Sequence, residues 1–168
     1  RQELGAIGRG NIDNISINLP RLAFETIRDC KSEKIKDRID LLKSKWIGIA
    51  NSVSEILIDR FEKTCKSDKS LFPTNSEYKL WCGNIAESDL YEVFKHGTLS
   101  IGFIGLAEMI EIIAGKKYWE DDDTYHLALN FVKFMRNYTD ELRDKHHLNF
   151  SLLATSGELI SGRFAEID

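Results

Sequence analysis

Cysteine is scarce in this chain: three in 168 residues, Cys30, Cys65 and Cys82, far apart and without a CxxC pair. An odd number at that spacing excludes a disulfide scaffold and the usual zinc-finger patterns, and fits the reduced thiols of a cytoplasmic protein. Long apolar runs are also missing. Nothing approaches the ~18 residues of a membrane span, and Arg1 opens no secretory leader. Positive charge is in deficit, with 23 Lys and Arg against 27 Asp and Glu, a net charge of −4 and a pI near 5.6. That balance argues against a nucleic-acid binder, which carries a concentrated basic face, but leaves room for one bound nucleotide, which needs only a local site. No internal repeat and no low-complexity tract occurs. What is present is a chain 42% hydrophobic and long enough for one domain with a sizeable core. It begins without Met inside a glycine-rich stretch and stops directly after a helix-like pattern, so the expectation is a piece of a longer polypeptide.

Four blocks organise the chain. In the first, Ile15, Ile17 and Leu19 alternate with polar residues, the period of a strand. Pro20 ends it and opens a helix over residues 21–29. In the second, Ile35, Ile39, Leu42, Trp46, Ile49, Val53 and Ile56 recur at spacings of four and three, predicting an amphipathic helix over 33–65. A coiled-coil seam is one reading of those heptads. The bulk of Trp46 and an irregular charge pattern beside the seam favour a helix packed on its own domain. Residues 66–75, with Ser67, Asp68, Ser70 and Pro73, read as a loop.

The third block holds a short helix from Tyr91, an apolar strand-like run flanked by Gly97, Gly102 and Gly105, and a helix over 106–114 closed by Gly115. In the fourth, the acids at 120–123 open a helix and Lys145, His146 and His147 close it, each at the end that suits its charge. Tyr125, Ala128, Leu129, Val132, Met135, Tyr138 and Leu142 hold one face, and Leu127, Phe131 and Phe134 widen it, so burial on more than one side is expected. Residues 149–154 read as a buried strand, and a last helix over 159–167 follows a turn at 155–158. Strands alternating with helices indicate an α/β, helix-rich fold.

Several features could carry chemistry. The acidic run at 120–123 reads as a solvated helix start rather than a metal site, and His146-His147 as a helix-end pair lacking metal-ligand spacing. Gly5-Ala6-Ile7-Gly8-Arg9-Gly10 resembles a loose dinucleotide fingerprint, but no strand precedes it. His96 suits a structural hydrogen-bonder as well as an acid or base. Thr155-Ser156-Gly157 follows a strand and precedes a helix. Two hydroxyls, backbone N–H groups and a positive helix end then converge there, as a phosphate site requires, although a plain N-cap has the same signature.

Longer motifs go further. Gly8-Arg9-Gly10-Asn11-Ile12 with Ser16-Ile17-Asn18-Leu19-Pro20-Arg21-Leu22 resembles a block of the anaerobic, glycyl-radical ribonucleoside-triphosphate reductases. The run from Phe94-Lys95-His96-Gly97-Thr98 through Glu108 resembles a second block, and Phe150-Ser151-Leu152-Leu153-Ala154-Thr155 through Phe164 a third, in the same order. Where the family usually has Pro, Ala and Gly, this chain has Ser156, Gly157 and Leu159.

The resemblance implies that residues 1–168 are one fragment of the catalytic barrel domain, a ten-stranded α/β barrel. In that family a glycyl radical generates a thiyl radical on a finger loop; the thiyl takes the ribose 3′ hydrogen and the 2′ hydroxyl leaves as water. An activating enzyme using S-adenosylmethionine installs the glycyl radical, formate or a thiol system is the reductant, the parent holds structural zinc, and a homodimer is expected. The radical cysteine falls before Arg1 and the glycyl-radical and zinc region after Asp168, so no catalytic residue, no metal and no cofactor is expected within the chain, and no turnover from it alone.

By the same resemblance Asn11 hydrogen-bonds ribose hydroxyls, Thr155, Ser156, Gly157 and Glu158 form the turn that cradles the substrate phosphates, and His96, Thr98 and Ser100 lie on a barrel strand near the substrate. The alternatives are a stand-alone helical, coiled-coil-like interaction domain and a small nucleotide-binding module.

Overall fold

The computed structural model describes residues 10–78 and 89–157, together with 162–163 and 166–167. Strand β1 (Asn11–Asn18) runs directly into helix α1 (Leu19–Asp29). The Asn18 side chain accepts a hydrogen bond from the Arg21 backbone N–H at 3.0 Å, and Pro20 sits in the first turn, where its missing N–H costs nothing. Leu19, expected as the last strand residue, is therefore the first helical one, fully buried. Helix α2 (Ile35–Cys65) follows. A 3-10 turn (Lys69–Leu71) and helix α3 (Pro73–Glu77) then occupy part of what reads as loop, the turn fixed by Asp68 accepting from the Ser70 N–H at 2.8 Å.

Helix α4 (Leu90–Phe94), capped by Asp89, leads to strand β2 (Thr98–Ile104). Helix α5 (Leu106–Ala114) lies between two glycines in the left-handed region, Gly105 at φ 78° and Gly115 at φ 71°. At Gly105 the need for glycine is doubled, because a Cβ there would stand 2.4 Å from the Pro20 ring. Helix α6 (Asp122–His146) and strand β3 (Asn149–Ala154) complete the described order. The last helix expected over 159–167 lies mostly outside the described residues, of which 162–163 and 166–167 are helical.

The three strands form one parallel sheet in the order β1-β2-β3, with Ile15, Ile101 and Leu152 in one row and Ile17 beside Phe103 in another. Parallel neighbours require long crossovers, which the helices supply. Ile17, Leu99, Ile101, Phe103 and Phe150 all belong to one pleat face. They join Leu19, Leu22 and Ala23 of α1, the buried side of α2, Met109, Ile110 and Ile113 of α5, and Ala128, Phe131, Met135 and Leu142 of α6 in a single core. The helices cover one face of the sheet.

Two helices differ from their sequence pattern in an instructive way. On α2 the core side is Ile39, Leu42, Trp46, Ala50, Val53, Leu57 and Phe61, while Ile35, Ile49 and Ile56 of the expected seam are exposed. A helix turns every 3.6 residues, so a strict 3.5 repeat rotates off a flat partner within a few turns, and the buried side drifts from Ile49 to Ala50 and from Ile56 to Leu57. Trp46 is fully buried, edge-on to Phe134 at 5.5 Å and Tyr138 at 5.2 Å, so it belongs to the core between α2 and α6. On α6, Tyr125 and Leu129 are exposed, and burial follows Thr124, Ala128, Phe131, Met135, Thr139 and Leu142. Helix α6 is one-sided. Strand β3 is less buried than expected, with Leu153 and Ala154 exposed, since it pairs only with β2 among the described residues.

Leu57→Ala should cost about 2–5 kcal/mol in urea unfolding, and Ile56→Ala, one position away, under about 0.5 kcal/mol. Equal losses would restore the heptad seam. At the start of α6 the Thr124 N–H (2.8 Å) and then Lys116 (3.0 Å) hold the Asp121 carboxyl down to about 2. A depressed carboxyl stabilises the fold fully above the ordinary value of ~3.9, and that contribution is lost as pH falls through its folded value. Carbon NMR of Asp121 should therefore show a midpoint near about 2; a midpoint in the ordinary range would contradict the cap.

Candidate functional site

The sheet face away from the helices is built of small and polar side chains. Strand alternation places Asn14, Ser16, Thr98, Ser100, Gly102, Asn149 and Ser151 there, with the apolar Ile104 and Leu153, and none of them joins the hydrophobic core. A buried face of a parallel strand is ordinarily apolar. Ser100, only 4% exposed at the centre of the middle strand, is the clearest departure.

Asn11 reaches this face through an irregularity. Counting back in twos from Ser16 and Asn14, Asn11 belongs with the core-facing residues. Asn11 nevertheless pairs with Thr98, Asp13 with Leu99 and Asn14 with Ser100, so one extra residue, Ile12, is inserted in β1. Such a bulge shifts the pleat by one and re-aims the side chains before it. Beyond the shift, Asp13 turns to the helices and pairs with Arg60 of α2 at 3.0 Å. Asn11 comes onto the polar face, its Oδ1 3.5 Å from the Ser100 hydroxyl. Ile12 packs against the core at a point where Gly97 leaves room: a Cβ on Gly97 would stand 2.3 Å from the Ile12 side chain.

Two rows of hydroxyls cross the sheet. In one, Ser100 Oγ lies 3.0 Å from Ser151 Oγ and 3.5 Å from Asn11 Oδ1. In the other, Ser16 Oγ of β1 and Thr155 Oγ1, one residue past β3, meet at 2.5 Å above the middle strand. They can meet because Gly102 lies beneath them; a Cβ there would stand 2.3 Å from Ser16 Oγ and 2.6 Å from Thr155 Oγ1. The Thr155 N–H donates to the Phe103 carbonyl at 3.0 Å and so prolongs the β2–β3 ladder. Its N–H and hydroxyl thus both have protein partners, and of the turn's hydroxyls only Ser156 is exposed. Gly157 is buried at φ 55°, its missing Cβ leaving space for Ile104, while Glu158 lies outside the described residues.

The other candidates are distributed as follows. His96 lies in the turn before β2, its carbonyl accepting from the Asn149 side chain at 3.0 Å, and the Thr98 N–H donates to the Gly10 carbonyl at 2.7 Å. His146 and His147 close α6, His147 in the left-handed region at φ 54°. Gly5, Gly8 and Cys82 fall outside the described residues. Cys30 and Cys65 are unbridged, and burial, with Asp89 and Glu62 nearby, pushes the Cys65 thiol up, away from the thiolate that reactivity needs. Among the described residues no group of three or more His, Cys, Asp or Glu is placed to hold a metal, and no helix is long and apolar enough to cross a membrane. Gly102 was read on sequence as a glycine permitting close approach, whereas Ser16 and Ser151 were not candidates. Their signal was parity: Ser16 between Ile15 and Ile17, and Ser151 after Phe150, alternate out of the core.

The three motif blocks thus coincide with the three strands, laid side by side. Residues 2–168 match the family model described as anaerobic ribonucleoside-triphosphate reductase. The chain belongs to that family. Proteins of that name from Salmonella typhimurium, Escherichia coli and Haemophilus influenzae are 27%, 26% and 25% identical to it. Each alignment covers 96% of this chain but 22% of the relative, so the chain spans about a fifth of their length.

Within this reductase segment the Gly102 notch offers a direct test. Gly102→Ala should separate Ser16 from Thr155 and cost about 1–3 kcal/mol as an overpacked site. Ser16→Ala, which removes one hydrogen bond and leaves space, should cost about 1 kcal/mol. Urea midpoints compare the two, and a neutral Gly102→Ala would mean the strands spread freely.

Proposed function

We propose that this chain is part of the substrate chamber of an anaerobic ribonucleotide reductase, which reduces ribonucleoside triphosphates to deoxyribonucleoside triphosphates by radical chemistry. The observation that carries the reading is the polar face. The motif blocks shared with the family supply three adjacent parallel strands, whose outward surface displays the amides of Asn11, Asn14 and Asn149 and the hydroxyls of Ser16, Thr98, Ser100, Ser151 and Thr155 where a covered face would be mostly apolar. Amides and hydroxyls both donate and accept, which suits the hydroxyls of a ribose.

The three strands are read as a segment of a ten-stranded α/β barrel. Helices on one side only, and outer strands paired on one side only among the described residues, support that architecture, since an open edge calls for a neighbour. Asn11 is assigned to the ribose, with Thr98, Ser100 and His96 on the strand beside it. The turn at 155–158 is assigned to the phosphates, with Ser156 and backbone N–H groups as its available donors. The radical cysteine, the glycyl radical, structural zinc and the reductant site belong to other parts of the parent enzyme. Its partners are a radical S-adenosylmethionine activating enzyme and a second subunit, and its compartment is the cytoplasm.

Anaerobic assay with activating enzyme, reductant and a ribonucleoside triphosphate tests the assignment. The isolated chain should form no deoxyribonucleotide above a no-protein control, because positioned radical groups are required. In the full-length reductase Asn11→Ala should lower kcat/KM by about tenfold or more, the cost of a lost hydrogen bond to a polar substrate group. Unchanged kcat/KM would remove Asn11 from the site.

A further inference from the structure

We infer that Ser151 and Ser100 form a one-way hydrogen-bond relay that fixes the orientation of the Asn11 amide, so that Asn11 meets its ligand as a donor. This rests on the assignment of Asn11 to the substrate. The inference comes from counting protons. A serine hydroxyl has one proton to give, and an amide oxygen can only accept. Ser100 Oγ stands 3.5 Å from Asn11 Oδ1, so that contact requires the Ser100 proton. The contact between Ser100 and Ser151 at 3.0 Å must then use the proton of Ser151. The direction is set: Ser151 to Ser100 to Asn11 Oδ1.

Burial enforces it. Ser100 is 4% exposed, so its oxygen has little water to turn to, and a buried hydroxyl left unpaired is costly. With Oδ1 engaged towards the sheet, the two Nδ2 hydrogens point to the other end of the amide, and Asn11 itself is exposed. The group Asn11 recognises is therefore an acceptor, a hydroxyl oxygen of a ribose or another electron-rich oxygen. Ser100, placed near the substrate by resemblance, acts through Asn11; it and Ser151 are positioning residues.

The test is the affinity of a radiolabelled ribonucleoside triphosphate for the full-length reductase, measured by anaerobic equilibrium dialysis, which needs no turnover. Asn11→Asp, the same shape with an oxygen in place of Nδ2, should weaken binding at least as much as Asn11→Ala. If Asn11→Asp bound normally, the ligand would be donating to the carbonyl, and the relay would run the wrong way. Ser151→Ala should weaken binding about fivefold to tenfold, the range of one hydrogen bond, and Ser151→Thr should restore it to within about twofold.

The decisive arm is the double variant. With Asn11→Ala present, Ser151→Ala should have no further effect, since the relay has nothing left to orient. Additive losses would show that Ser151 supports the strand alone, and would overturn the relay while leaving Asn11 in the site. Normal binding by Asn11→Ala would remove both. Ser151 is the primary probe because it lies half-buried on an outer strand; should Ser100→Ala fail to fold, the three Ser151 arms still decide.

Discussion

The arrangement depends on burying one face of three parallel strands and only one. Ile17, Leu99, Ile101, Phe103 and Phe150 enter the helical core, and α1, α2, α5 and α6 are amphipathic because each has a single side to satisfy. The area removed from water between these layers is the main favourable term in such a fold. The opposite face is thereby released from packing duty. Its side chains can be selected for hydrogen bonding, on a backbone held in register from beneath.

That freedom has a condition. Polar groups on a sheltered face must find partners, and here they find one another across the strands. Ser16 reaches Thr155, and Ser100 reaches Ser151. The glycines beneath are what allow it. Gly102 lets the hydroxyls of Ser16 on β1 and Thr155 just past β3 touch across β2, and Gly97 accepts the displaced side chain of Ile12. Satisfied networks of this kind hold side chains in fixed orientations, which a binding surface needs more than it needs bulk.

Much of this order was legible in the residues. The buried-strand run 149–154 is β3, Pro20 marked the start of α1, and Gly115 closed α5. The three motif blocks located the strands that form the sheet. What could not be read depends on distance along the helix or on pairing. The isoleucines at 49 and 56 look like core because heptad spacing is compared with itself, whereas the helix must stay on a sheet, and the 3.6-residue turn moves burial to Ala50 and Leu57. Leu153 and Ala154 look buried by composition but lie towards the end of an outer strand. Thr155 has the signature of a free phosphate ligand, yet its N–H continues a ladder, which only the partner strand reveals. Asn11 was singled out by motif, and the face it occupies could not follow from alternation at all.

The one-residue irregularity at Ile12 matters on one side of the sheet only. Substituting Ile12 alters packing on the helical side and leaves Asn11 where it is. Deleting it would close the bulge: Asp13 would follow Asn11 directly, as Leu99 follows Thr98 in β2, so Asn11 would stay on the open face in a regular ladder. What the extra residue adds is a side chain on the helical side, where Ile12 fills the space that Gly97 leaves. Loss of Ile12 would therefore leave the open face as it is and empty a pocket on the opposite one.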